Sequence, residues 1–198
     1  MRSDIDIYAR CMKKVKQRIG IIRWLLRDDP LGKGKSMLST ELLFVQFRKA
    51  LELIAFSSLT ANKEEYARKF PDFRNDAKAK AMLKDIEAIN PNFYPVPLTQ
   101  ITIEDEIGPL RGEDLRVSHP NRVRHLLRHR KRAPPHAKPD SEKDPLTRLP
   151  YSETAYADRI QALVELHYIQ LVDDDTFWLV QVPGSGEVTV RASKRQPV

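Results

Sequence analysis

Residues 36–59, SMLSTELLFVQFRKALELIAFSSL, decide the class of fold. Leu42, Leu43, Phe44, Val45, Phe47, Leu51, Leu53, Ile54, Phe56 and Leu59 fall on nearly every face of a helix, which marks the central element of a helical domain. Ser36 or Ser39 can cap its start. The polar exceptions Glu41, Arg48 and Glu52 share one face, and Arg48 and Glu52 are one turn apart, as an ion pair requires. Exposed charge needs no buried partner, so these three are expected to form the helix's one solvated stripe.

Upstream, Ser3 and Asp6 have the spacing of a capping box. Ile5, Tyr8, Met12, Val15, Ile19, Ile22 and Leu26 then follow at alternating intervals of 3 and 4, the signature of one apolar stripe on a helix. Lys13, Lys14, Lys16, Arg18, Arg23 and Arg27 occupy the other faces. The result is a basic amphipathic helix that ends before Asp28-Asp29-Pro30, its stripe expected to face a core. Downstream, Asn62 with Glu65 can cap a short helix through Phe70. Asp72 opens another, with Phe73, Ala77, Met82 or Leu83, Ile86 and Ile89 inward, stopped by Asn90-Pro91. The stretch NPNFYPVPL reads as a packed loop, and Leu98 to Ile103 as a short strand.

Composition changes from Gly108 to Pro150. Between Pro95 and Pro150 there is no aromatic residue, and ten of the 14 prolines lie between Pro91 and Pro150. Such a segment buries too little apolar surface to offset the entropy of ordering it, so a flexible connector is expected, with a short helix over Asn121 to Arg132. Regular pattern returns at Ser152, a cap for a helix through about His167 that places Ala155, Tyr156, Ile160, Leu163 and Val164 on one side. Tyr168–Val172 and Phe177–Val182 form a β-hairpin around three aspartates, and Gly184-Ser185-Gly186 turns into a third strand, Glu187–Val190.

The 198 residues carry a net charge of +7, with 34 Lys+Arg against 27 Asp+Glu. That excess is local. Residues 1–35 amount to +6 and residues 111–138 to +7, while the stretches 36–110 and 139–198 are negative. Only those two patches are candidates for polyanion binding. Cys11 stands alone, without a partner for a disulfide or a cysteine set for zinc, which suits a reducing compartment. No run approaches the roughly 18 apolar residues of a membrane span. Asp4 and Asp6 stand where a signal peptide would be basic, so a soluble cytoplasmic protein without membrane association is expected.

The densest basic stretch is NRVRHLLRHRKRAPPH, residues 121–136. Arg122, Arg124, Arg128, Arg130, Lys131 and Arg132 can displace counterions from phosphates and so bind nucleic acid without sequence preference. No aromatics interleave them to stack single-stranded bases, so the cluster would be a phosphate clamp. Arg124 and His129 also match the arginine-to-histidine spacing of the HEPN ribonucleases, which need no metal; Arg130 with His136 fits as well, and in so basic a stretch such spacings arise readily by chance. For a metal, His125 and His129 are one helical turn apart but lack a carboxylate or thiolate at ligand spacing; His167 is expected to be structural. A helix followed by a hairpin also ends winged-helix domains, but Glu153, Asp158 and Glu165 against Arg159 alone make this helix too acidic to enter a major groove. No phosphate-binding glycine loop or nucleophile elbow occurs, and no cofactor is expected.

The run ELLFVQFRKALELIAFSSLTANKEEYARKF, continued by INPNFYP, resembles a widespread family of uncharacterised bacterial helical proteins. The likeness lies on Glu41, Gln46, Arg48, Leu51, Glu52, Asn90, Pro91, Phe93, Tyr94 and Pro95, and the ending ELHYIQLVDDDTFWLVQV is similar too. The resemblance covers residues 41–95 and about 157–182 and implies no activity. Residues 108–150 depart from its pattern, as a divergent insertion would, or as a GC-rich gene read out of frame would.

Taken together, the expectation is an α+β protein: a helical domain over 1–95, a basic connector over 96–150, and a helix with a small antiparallel sheet over 151–198. The expected function is a non-enzymatic interaction module that binds a protein partner or, nonspecifically, nucleic acid; the alternative is a HEPN-like ribonuclease using Arg124 and His129.

Overall fold

The computed structural model describes residues 2–28, 37–62, 90, 93–101, 115–117, 152–171 and 176–194. The fold is α+β. Helix α1 spans Arg2–Asp28 and α2 spans Met37–Ala61. Strands β1 (Val96–Ile101) and β2 (Leu115–Val117) precede helix α3 (Glu153–Val164), which leads into β3 (Leu166–Gln170), β4 (Thr176–Gln181) and β5 (Thr189–Lys194). The five strands form one sheet in the order β2-β1-β3-β4-β5, antiparallel at every pairing.

On α1 the stripe does what its spacing requires. Tyr8, Met12, Val15 and Ile22 are fully or almost fully buried, while Ile5, Ile19 and Leu26 pack at the margin. Each buried apolar side chain contributes about 1.5–3 kcal/mol of transfer free energy. Asp4 in the first turn and Arg27 in the last complement the helix dipole. Ser3 lies inside the helix, one residue after its start, so it is not the cap that the capping-box spacing suggests. Gly20 sits mid-helix with no atom within 4 Å of where a Cβ would stand. Gly20→Ala should therefore stabilise the protein by about 0.5–1 kcal/mol by removing the entropic penalty of glycine in a helix. A rise in urea midpoint with an unchanged m-value would confirm it, and a fall would mean that the added methyl is not accommodated.

Along α2, Leu43, Phe47, Ala50, Leu51, Ile54 and Ala55 are buried. The helix is not enclosed all round, however: Leu38, Val45 and Phe56 are exposed at 60%, 49% and 51%. Apolar residues on every face therefore overstated its burial. Arg48 donates from Nε to Glu52 Oε1 at 2.8 Å; Glu41 and Arg48 are exposed, but the Glu52 side chain is largely covered, so the expected solvated stripe holds for two of its three members.

Ser152 caps α3: its hydroxyl accepts from the Ala155 amide at 3.2 Å. The helix ends at Val164, three residues before the expected stop near His167. No glycine or proline marks that end. Leu166–Gln170 instead pairs with Gln181–Phe177, and strand pairing overrides a helical pattern that has no local stop signal. The third strand starts two residues late and runs to Lys194, held to β4 by a continuous register from Thr176↔Lys194 to Gln181↔Thr189. Gly186, at φ 89°, supplies the left-handed residue in the turn between them.

Two expectations about organisation are corrected. Residues 96–150 are not connector throughout: β1 lies where the short strand Leu98 to Ile103 was expected, and β2, not anticipated, pairs with it as Leu98↔Val117, Gln100↔Arg116 and Ile101↔Leu115. Pro97 is tolerated in β1 because the pairing is divided along the strand: Val96 and Pro97 meet β3, and residues from Leu98 onward meet β2. The helical and C-terminal parts also do not hold separate cores. One cluster unites Tyr8, Met12 and Val15 of α1, Phe47 and Ile54 of α2, Ile160 and Leu163 of α3, and Ile169, Trp178 and Val180 of the sheet. Periodicity identifies the face of α1 that must be buried, not the element that buries it. The helices expected over 62–70, 72–89 and 121–132 lie outside the described residues.

Candidate functional site

The basic faces of α1 are largely spent on the fold itself. Lys13 pairs with Glu187 at 2.8 Å and Lys16 donates to the Gly186 carbonyl at 2.6 Å, which ties the helix to the β4–β5 turn. Arg18 Nη1 donates to Gln46 Oε1 at 2.8 Å, so the buried amide of α2 has its partner on α1. Arg23 spans two residues of α3, Asp158 at 2.6 Å and Gln161 Oε1 at 2.9 Å. Arg27 grips the adjacent Asp28 with two contacts of 2.8 Å. Arg10 and Lys14 stand exposed on the same helix. Solvent-facing pairs are weakened by screening and by the entropy of holding two long side chains, so these contacts orient α1 rather than hold it. They also reduce its worth as a phosphate-binding surface.

Beneath them lies a polar cluster inside the core. The Tyr8 hydroxyl is 2.7 Å from His167 Nε2, and His167 Nδ1 is 2.9 Å from the Val164 carbonyl. A carbonyl only accepts, so Nδ1 carries the proton and Nε2 offers its lone pair to the Tyr8 hydroxyl. His167 thus serves α3 as well, since the Val164 carbonyl belongs to the last turn, whose acceptors have no partner within the helix. Both residues are completely buried. Burial pushes the His167 imidazole down to about 4 and holds it neutral, and it raises the Tyr8 hydroxyl far above its usual range. With both ring nitrogens engaged, His167 has no lone pair left for a metal, in line with its expected structural role. Trp178 closes the cluster edge-on to Tyr8, ring centroids 5.6 Å apart, and its buried indole N–H lacks a hydrogen-bond acceptor among the described residues.

Asn90 and Phe93 join helix to sheet. Asn90 Nδ2 donates to the Gln170 carbonyl at 2.8 Å and to Asn62 Oδ1 at 3.2 Å, and Asn62 Nδ2 donates to the Ser58 carbonyl at 3.0 Å. One buried side chain thereby joins the end of α2 to the end of β3. The Phe93 amide donates back to the Asn90 carbonyl at 3.1 Å, and the Phe93 ring is buried. Asn90 and Phe93 thereby clasp helix to sheet.

Every residue singled out for chemistry lies outside the described residues: Arg122, Arg124, Arg128, His129, Arg130, Lys131 and Arg132, with His125 and His136. Among the described residues no group of three His, Cys, Asp or Glu side chains could hold a metal ion, and no helix is long and apolar enough to cross a membrane. Helix α3 turns Tyr156, Ala157, Ile160, Leu163 and Val164 inward, and its Asp158 is taken by Arg23. The Tyr8–His167 pair spans 159 positions and was not anticipated; the sequence pattern puts His167 at the end of a helix, and only its position in β3 turns it inward. No protein-family profile, curated protein or solved structure matches this chain.

Proposed function

We propose that the protein is a non-enzymatic interaction module that binds polyanions, nucleic acid foremost, through Arg122, Arg124, Arg128, Arg130, Lys131 and Arg132. The observation that carries this reading is how the two basic segments differ. Five cations of α1, Lys13, Lys16, Arg18, Arg23 and Arg27, are bonded to Glu187, Gly186, Gln46, Asp158 and Asp28, while Arg10 and Lys14 are exposed. The other excess of positive charge, in residues 111–138, contains nine basic and two acidic side chains. Binding by such a cluster is driven by counterion release and is indifferent to sequence.

The test is a salt titration with duplex DNA of two unrelated sequences. The logarithm of affinity should fall linearly with the logarithm of salt, equally for both duplexes, with a slope of about −0.9 for each phosphate neutralised. Replacing all six cations by glutamine should abolish most of that slope, whereas Lys13→Gln with Lys16→Gln should leave it unchanged. Affinity insensitive to salt, or an unchanged slope in the sixfold variant, rejects the reading. Incubation with RNA adds a decisive control: cleavage by the wild type that His129→Ala removes would establish a ribonuclease instead.

A further inference from the structure

We propose that Tyr8 and His167 form an acid-sensitive latch: a proton taken up at His167 Nε2 turns its acceptor into a donor facing the Tyr8 hydroxyl, and α1 parts from the sheet. The geometry leaves that proton no favourable place. Nδ1–H is already committed to the Val164 carbonyl, and Nε2 holds the only free lone pair of the ring, which accepts from Tyr8. Rotation of the hydroxyl could turn an oxygen lone pair toward the new N–H. A full positive charge would still be sealed in the core, which is costly without an anion beside it.

No described element supplies that anion. Helix α1 brings Tyr8 and, one turn on, the half-buried Cys11, whose thiol burial pushes up and so keeps neutral; Arg10 and Lys14 point to solvent. From α2 comes Ser57, whose hydroxyl donates to the Ile54 carbonyl. Helix α3 offers the Val164 carbonyl, while its Asp158 and Glu165 are exposed. In the sheet, His167 faces Val180 of β4 and Pro97 of β1. Besides the shared apolar core, α1 meets the C-terminal part through Lys13–Glu187, Lys16 with the Gly186 carbonyl, and Arg23 with Asp158 and Gln161, polar contacts at the surface that hold little by themselves.

The direction of the effect follows from linkage. An imidazole held neutral in the closed state protonates preferentially in the open one, so closure is complete above the ordinary histidine value of about 6.5 and is lost as pH falls toward about 4. Within that window each pH unit raises the open-to-closed ratio by up to about tenfold.

Trp178, buried against Tyr8, is the natural reporter, and Trp24→Phe removes the exposed second indole. On acidification the Trp178 emission should shift to the red in a cooperative step above pH 4, with far-UV circular dichroism largely retained. In His167→Gln, which keeps an acceptor for Tyr8 but does not protonate, the step should move down by at least one pH unit. Loss of the exposed ion pairs persists in that variant and sets the background. An unchanged midpoint overturns the latch. A measurement on the wild type is independent of whether the variant folds. The ¹⁵N shifts of His167 should report the neutral Nδ1–H form at pH 6, with proton uptake coinciding with the fluorescence step. A His167 resonance that titrates near the ordinary histidine value of about 6.5 overturns it equally.

Discussion

Trp178→Ala is expected to lower the stability of the protein by about 3–5 kcal/mol, the range for deleting a large aromatic side chain from a core. Trp178 is 1% exposed and lies on the side of β4 that faces the helices, opposite Ile169 on β3 and Ala192 on β5. It touches the Tyr8 ring edge-on and belongs to the cluster that unites α1, α2, α3 and the sheet. Its removal leaves a cavity at the one place where every layer meets, so little collapse can compensate. Trp178→Phe makes a revealing contrast. The indole N–H is buried without an acceptor among the described residues, and phenylalanine removes that unsatisfied donor while keeping much of the apolar surface. The phenylalanine variant should therefore lose less than half of what the alanine variant loses. Denaturant titrations followed by far-UV circular dichroism check both, and an alanine variant within about 1 kcal/mol of wild type would contradict a shared core.

The second large effect is expected at the clasp. Asn90→Ala deletes a buried donor that serves the Gln170 carbonyl and Asn62 Oδ1 together and leaves both acceptors without it. Loss of one buried partner costs about 1–3 kcal/mol for each group left unsatisfied, so a total of about 2–6 kcal/mol is expected. Asn90→Asp preserves the size of the side chain but replaces the donor with a carboxylate facing two acceptors. It should destabilise at least as much at neutral pH and recover in part as the carboxyl is protonated. Hydrogen exchange adds a local signature: the Leu171 amide, which donates to the Thr176 carbonyl beside the clasp, should lose protection in Asn90→Ala before amides in the middle of α1 do. Equal loss at both places would mean that Asn90 supports global stability without a local role.

Much of the fold was legible because the signals involved are local. The stripe from Ile5 to Leu26, the cap at Ser152, the turn at Gly184–Gly186 and the hairpin around residues 173–175 each rest on neighbours within a turn or two of chain. Local stereochemistry determines such features almost alone. The end of α3 was not legible, because the residues after Val164 have no stop signal and their conformation was settled by pairing with β4. Strand β2 was hidden in an aromatic-free, proline-rich stretch; its three residues are held by β1 and need no core-forming pattern of their own. Helix α2, with Val45 and Phe56 exposed, shows the opposite error, since apolar residues announce burial only in one direction.

By itself, then, the sequence determined the α+β class, the faces of α1 and α3 that had to be buried, and the two places where positive charge concentrates. Tertiary structure alone decided what those features meet. The lysines and arginines of α1, legible only as a basic surface, became ties to the β4–β5 turn, α2 and α3, and two residues 159 positions apart became one buried hydrogen bond. The physical reason is the same in each case. Periodicity and capping act over one or two turns of backbone, whereas the partner of a charge or of a buried polar atom is chosen by which elements the shared core brings within about 3 Å.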